Sequence, residues 1–224
     1  MYCDINVVEK EQDGRYIKVL LIDEKEESAT FMGVDKYELV YPYNIKIFSI
    51  MEGYDTSSIL LLGGGGFSIP KYFISHYPKG RIDVVEKESI IFKIAKEEFY
   101  VSDLISQYGL DGDNSRMMVY INDAIEFLRS SKYQYSVIIN DVYNGGEMVS
   151  EILTEESVKL IVDHICKNGI YIINFFSAVC GKKKKVWDDE KLILKKYFRN
   201  VSITQVDSSI PPDHRQNCIV FAQK

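Results

Sequence analysis

From Ser57 onward, uninterrupted apolar runs alternate with stretches whose apolar residues recur every three or four positions. The runs "SILLLG", "RIDVVE", "MMVYIND", "YSVIIND" and "IYIINFF" read as strands buried on both faces. Between them, "IPKYFISHY", "SIIFKIAKEEFY", "AIEFLRS" and "SVKLIVDHICKNG" carry helical spacing, with Ile90, Ile94 and Ala95 forming one stripe. Gly169 stands where a helix C-terminus would want it. "EKLILKKYF" predicts one more helix, and "VSITQV" and "NCIVFAQ" two closing strands. Strands joined by helices of this length predict an α/β domain over residues 57–224, with a doubly wound, mostly parallel sheet.

Residues 1–56 follow a different rhythm. "RYIKVLLID" and "SATFMGV" are short β-like runs separated by the charged "EKEE", which predicts a small β-hairpin. "KYELVYPYNIKIFSIM" then predicts a helix with Pro42 near its start. The expected organisation is a hairpin-and-helix region, 1–56, appended to the larger domain. No segment approaches the ~18 apolar residues of a membrane span. The first residues lack the basic start and apolar stretch of a signal peptide, so a cytoplasmic protein with no membrane partner is expected. Four scattered cysteines without a CxxC pair suggest neither a disulfide framework nor a metal site. A formal net charge of −6 argues against nonspecific nucleic-acid binding. "GKKKKVW" reads as a solvated loop.

In a doubly wound sheet ligands bind at the C-terminal strand ends, near the reversal of strand order. Those ends are Gly63, Gly64, Gly65 and Gly66 after the first strand, Glu86 after the second, Asp123 after the third and Asp141 after the fourth. Bare glycine backbone can turn sharply and approach a ligand closely. An acid some twenty residues later can accept the hydroxyls of a ribose. Asp123 is placed to accept from an adenine amine, although it also precedes "AIEFL" and suits a helix N-cap. Asp141 then faces the reacting end. The ligand so described is an adenosine extended beyond its 5′ carbon.

These residues carry a resemblance. "ILLLGGGGFSIPKYFISHYPKGRIDVVEKES" resembles the strand–GGGDGG–helix–strand–EID pattern of polyamine aminopropyltransferases (spermidine synthases). "MMVYINDAIEFLRS" is similar to that family's third-strand segment with its D-A pair, and "YQYSVIINDVYNGGEMVSEILTEESVKLIVDHICKNGIYIINFFS" to its fourth-strand block. "YELVYPYN" is similar to the segment preceding the glycines. The likeness covers about residues 37–177. It implies the methyltransferase-type, Rossmann-like fold, a transferase activity, and S-adenosylmethionine or its decarboxylated form as co-substrate. It places nucleoside binding on Gly63–Gly66, Glu86, Asp123 and Ala124. It makes Asp141 the catalytic base, with Tyr143 or Tyr41 positioning the nucleophile. A small-molecule acceptor, an amine in that family, and a homodimer are the partners it implies.

The departures bear on the acceptor. Gly66 stands where the family has the Asp of GGGDGG, with Phe67 and Ser68 replacing the next two glycines. Asn144 stands where the second Asp of DSSD binds the acceptor, and Glu147 is the nearest replacement. Two carboxylates for ammonium groups are missing, so poor spermidine synthesis is expected, and returning Asp to 66 and 144 is expected to raise it. Loss of the acid at 66 also removes repulsion for the carboxylate of intact S-adenosylmethionine, which admits a small-molecule methyltransferase. Two other readings are open: a catalytically silent nucleoside-binding relative, and an oxidoreductase in which Gly63, Gly65 and Ser68 mimic GxGxxG.

Overall fold

A computed structural model describes residues 4–112, 115–144 and 147–224, the side chains of residues 144–148 excepted. Three antiparallel strands open the chain: β1 (Ile5–Gln12), β2 (Arg15–Ile22) and β3 (Lys25–Phe31). The expected hairpin is therefore a three-stranded sheet. Its turns are two-residue loops, Asp13–Gly14 and Asp23–Glu24, all four residues having positive φ, the geometry that matches the twist of paired strands. "INVVEKEQ" reads as polar because it is an outer strand with several exposed positions. The charged "EKEE" is not a connection: Lys25 and Glu26 pair with Ile22 and Leu21 inside the ladder. Leu20 pairs with Ser28 but Leu21 with Glu26, leaving Glu27 as the extra residue of a bulge.

After α1 (Pro42–Met51) come β4 (Ser58–Leu62), α2 (Ser68–His76), β5 (Arg81–Glu86), α3 (Ser89–Glu98), α4 (Val101–Tyr108) and β6 (Met117–Ile121). They are followed by α5 (Ala124–Ser130), β7 (Tyr135–Asn140), the paired β8 (Tyr143–Asn144) and β9 (Glu147–Met148), and α6 (Glu155–His164). The chain closes with β10 (Ile165–Ser177), α7 (Lys185–Leu194), β11 (Asn200–Gln205) and β12 (Gln216–Gln223). Two local expectations are corrected. The stretch "SIIFKIAKEEFY" ends its helix at Glu98, because Tyr100 turns left-handed (φ 61°) and starts α4. Gly169 does not cap a helix: α6 stops at His164, and Gly169 lies within β10. A Cβ there would stand 2.8 Å from the Ser136 carbonyl oxygen, so Gly169 permits close strand contact instead. "GKKKKVW" contributes a 3-10 turn and the start of α7.

The central sheet has the order β11-β12-β10-β7-β4-β5-β6, with β12 alone running against its neighbours. This is the mostly parallel, doubly wound sheet expected. The chain steps outward through β4, β5 and β6, then returns to the other side of β4 with β7. The switch point thus lies between β4 and β7, where the ends Gly63 and Asp141 meet. Alternate residues of each strand feed two cores. Ile59 and Leu61 join Ile47, Met51 and Phe73 on one face, while Leu60 and Leu62 join Phe127, Ile161 and Trp187 on the other. The N-terminal sheet rests on α3 through Leu20, Ile22, Ile91 and Phe99. Among the described residues no helix is long and apolar enough to cross a membrane.

One polar group lies under this small sheet. Lys71 of α2 is 1% exposed, and its Nζ donates to Thr30 Oγ1 at 2.6 Å. The Phe99 and Tyr100 rings each lie 6.0 Å away. Burial, with the Lys36 charge adding to it, pushes the Lys71 amine down to about 7. The unfolded chain therefore holds more protons between about pH 7 and 10.5, and stability rises with pH across that window. Lys71→Met is expected to raise Tm at pH 7, since Thr30 Oγ1 keeps its bond to the Lys36 carbonyl at 3.0 Å. The gain should shrink as pH approaches 10, which thermal melts of both proteins across pH 6–10 would check.

Candidate active site

A cleft of about 740 Å³ lies at the C-terminal ends of β4, β5, β6 and β7, with Ser28, Glu27 and Tyr41 of the N-terminal region along its other wall. The glycine turn forms its floor. Gly63 has φ +91°, and a Cβ on it would lie 2.3 Å from the Asp141 carbonyl oxygen, so no other residue fits between the two strand ends. A Cβ on Gly64 would lie 2.7 Å from the Phe67 ring. Glu86, 7% exposed, holds this turn: its Oε2 accepts from Gly64 N at 2.9 Å and Gly65 N at 3.0 Å, and its Oε1 from Glu88 N at 2.9 Å. Oε2 is thereby fully used, while Oε1 keeps a second lone-pair direction, and Glu86 lines the cleft.

Asp123 and Ala124 line the same cleft one strand further out. Asp123 caps α5, its Oδ1 accepting from Ile125 N at 2.9 Å and Glu126 N at 3.4 Å. Lys87 Nζ lies 3.2 Å from its other oxygen. Partial burial works to raise the Asp123 carboxyl, but Lys87 and the two backbone donors outweigh it and hold it below its ordinary value. The helix cap that the sequence suggested is therefore present, on a residue that also lines the cleft.

Asp141 lies across Gly63 from Glu86. Asn174 Nδ2 donates to its Oδ1 at 2.8 Å, and Tyr43 OH stands 3.5 Å from its Oδ2. Asn217 Nδ2 donates in turn to Asn174 Oδ1 at 3.1 Å. Burial pushes the Asp141 carboxyl up to about 6, against the pull of these two donors. The structure brings Tyr143 close by a different bond, its OH donating to the Asn174 carbonyl at 3.2 Å. Tyr41 OH donates instead to Glu26 Oε2 at 3.1 Å, and its ring stacks on that of Tyr43 at 5.9 Å. Asn174, Asn217 and Tyr43 were not singled out by the sequence reading. The signal for the first two was a carboxamide inside an otherwise apolar core strand, which needs a partner.

Gly66 differs from the other three glycines. A Cβ there would lie 2.6 Å from Ser28 Oγ and 2.9 Å from Phe99 Cδ1. Ser28 is buried, and its hydroxyl lies 3.3 Å from that of Ser68, which donates to the Ala29 carbonyl at 2.8 Å. Packing works against the expectation that Asp at 66 and 144 together would raise activity, since Ser28 of β3 and Phe99 occupy the space a side chain at 66 needs. The side chains of Asn144 and Glu147, the other positions weighed for an acceptor carboxylate, lie outside the described residues. Among the described residues no His, Cys, Asp and Glu cluster is arranged to hold a metal ion.

No family model matches the chain. It is similar to the polyamine aminopropyltransferase of Vibrio vulnificus, with 25% identity over 200 residues, 88% of this chain and 62% of that protein. It is similar to the one from Lachnospira eligens at 32% identity over 152 residues, 68% of this chain and 50% of that protein. The chain thus spans between half and two thirds of the length of these relatives. Among solved structures, a probable spermidine synthase from Corynebacterium glutamicum superposes with a TM-score of 0.74 at 19% identity, covering 97% of this chain and 80% of that one. Human methyltransferase-like protein 13 in complex with SAH superposes with a TM-score of 0.65 at 19% identity, covering 82% of each. The fold is the methyltransferase-type fold, and in sequence the chain is spermidine synthase-like.

The filled space at Gly66 has a measurable consequence. Gly66→Asp is expected to cost about 1–3 kcal/mol of stability, the usual scale of overpacking. Ser28→Gly in the same chain should recover part of that loss. Thermal melts of the single and double variants check it; an undiminished Tm in Gly66→Asp would show that β3 yields freely.

Proposed function

We propose that the chain is a transferase that binds a sulfonium nucleoside, S-adenosylmethionine or its decarboxylated form, and passes a group from it to a small amine. The observation that carries this reading is the convergence at one switch point of the Glu86-held glycine turn and a half-buried Asp141 with an upshifted carboxyl. The residues fit such a nucleoside. Glu86 Oε1 has one acceptor direction left for a ribose hydroxyl, and Asp123 with Ala124 bounds the next stretch of cleft, where a base would lie. The known relatives' names, and the SAH in one structural neighbour, support the same class of ligand.

The donor supplies an electrophilic carbon bonded to positive sulfur. The chain's own residues then have two tasks. An amine nucleophile must be neutral when its lone pair forms the new bond to carbon, so a base must take its proton. Asp141 is suited to that work, because its carboxyl sits near 6 and is ionised at neutral pH. Asn174 and Tyr43 fix its two oxygens, and Asn217 fixes Asn174. The leaving group is a neutral thioether, which needs no proton.

A second reading differs only in which carbon is attacked. Position 66 itself supplies no carboxylate, its space being filled by Ser28 and Phe99, and Glu26 and Glu27 are the acids that line the cleft on this side. The missing acid at 66 spares the carboxylate of intact S-adenosylmethionine a repulsion there, which favours methyl transfer.

Three measurements test the proposal. Glu86→Gln is expected to weaken methylthioadenosine binding by roughly 1–3 kcal/mol, the scale of charged hydrogen bonds lost. Calorimetry on the folded variant reads it, and unchanged affinity removes Glu86 from the ligand. The rate should fall as pH drops through about 6, where Asp141 takes up a proton. In stability the sign is opposite. The native Asp141 binds its proton more tightly than the unfolded chain, so native stability falls as pH rises from about 4 to about 6. Asp141→Asn should therefore abolish turnover yet melt higher than the parent above pH 6, with the difference closing near pH 4.

A further inference from the structure

Beside the cleft lies a second hollow of about 330 Å³, and Phe176 and Asn217 line both. Its remaining walls are Val206, Ile210, Asp207, Arg215 and Gln216. Gln216 is 5% exposed, and its Oε1 accepts from Asp207 N at 2.9 Å. Its Nε2 is buried with no hydrogen-bond partner. An amide donor left unmatched in a protein interior costs free energy unless a ligand supplies the acceptor. Next to it, the Arg215 guanidinium lies 5.0 Å from the centre of the Phe176 ring, and its Nη2 donates a long bond of 3.4 Å to the Phe176 carbonyl. Among the described residues it has no carboxylate within ion-pairing distance. Asp207 is the one acid in the wall, and its Oδ1 is taken by Ser209 N at 2.8 Å and Ser209 Oγ at 2.6 Å.

We propose that this hollow is the far half of the acceptor site and receives a carboxylate, so that the acceptor is an ω-amino acid and not a diamine. The inference rests on the reading above, in which Asp141 meets the acceptor's amine. Asn217 joins the two spaces, since it lines both while its Nδ2 supports Asn174 and through it Asp141. A carboxylate accepts from the guanidinium, the strong form of charge-assisted bonding, and a turn of the Gln216 side chain toward the hollow brings its buried, unmatched amide to the same group. A diamine would bring its second ammonium beside Arg215, a like-charge approach, and would leave Gln216 Nε2 unmatched because an ammonium accepts nothing. Phe176, Val206 and Ile210 suit the methylene chain between the two ends.

The test titrates the protein by calorimetry with ω-amino carboxylates of three to six carbons and with diamines of equal length. The best amino carboxylate should bind at least ten-fold tighter than any diamine. Arg215→Met and Gln216→Leu should each erase most of that preference while leaving methylthioadenosine affinity unchanged. Arg215 is exposed, so its variant tests the idea even where Gln216→Leu disturbs folding. Equal or tighter diamine binding, no binding of either series, or an unaltered preference in Arg215→Met overturns the proposal. The amine titrations are run with and without methylthioadenosine. Failure of the nucleoside to bind would sink the transferase reading by itself, whereas the amino carboxylate preference is read independently of it.

Discussion

The Glu86 carboxylate bonded to the Gly64 and Gly65 amides is the interaction on which the site depends. Four glycines in succession have little conformational preference of their own, and ordering them costs more backbone entropy than ordering other residues. A single buried anion from the neighbouring strand offsets that cost by satisfying two amides at once. The bond fixes the turn at the one place where the sheet reverses its strand order. It also sets the spacing between the end of β5 and the end of β7, with Gly63 pressed against the Asp141 backbone. Every functional distance is measured from that junction.

From there the cleft divides by chemistry. Toward β6 it is bounded by an acid already committed to capping a helix and pairing with Lys87. Toward β10 and β12 it is bounded by carboxamides, with Asn217, Asn174 and Asp141 bonded in a row. Such a row holds a carboxylate in place without adding positive charge, and so leaves its proton affinity high. A lysine or arginine in the place of Asn174 would pull that affinity down and unfit Asp141 for accepting a proton near neutrality.

Much of this was legible in the sequence because it depends on strand periodicity. The five parallel strands are apolar runs that end where the pattern breaks, and this alone places Gly63, Glu86, Asp123 and Asp141 along one edge. What was not legible depends on partners distant in sequence. Nothing local marks Tyr43 as the neighbour of Asp141, 98 residues away. The strand Ile5–Gln12 lacks an apolar run because its burial is only partial, although Asp13–Gly14 was a fair hairpin signal. Gly169 misled because a glycine after a helical pattern is read as a cap, whereas here it makes room for β7. The side chain missing at Gly66 could be noticed in the sequence, but not what fills its place.

That filled place ties two distant parts of the chain into one steric unit. Ser28 occupies the volume that a side chain at 66 would need, so positions 28 and 66 cannot both be enlarged unless β3 moves away. Over evolutionary drift the two should change together or not at all. A lineage that grew a carboxylate at 66 would first have to shed the hydroxymethyl group at 28 and let Phe99 turn aside. The route to a side chain at 66 therefore passes through a cavity-bearing intermediate, and the order of its steps is set by packing before chemistry can select among them.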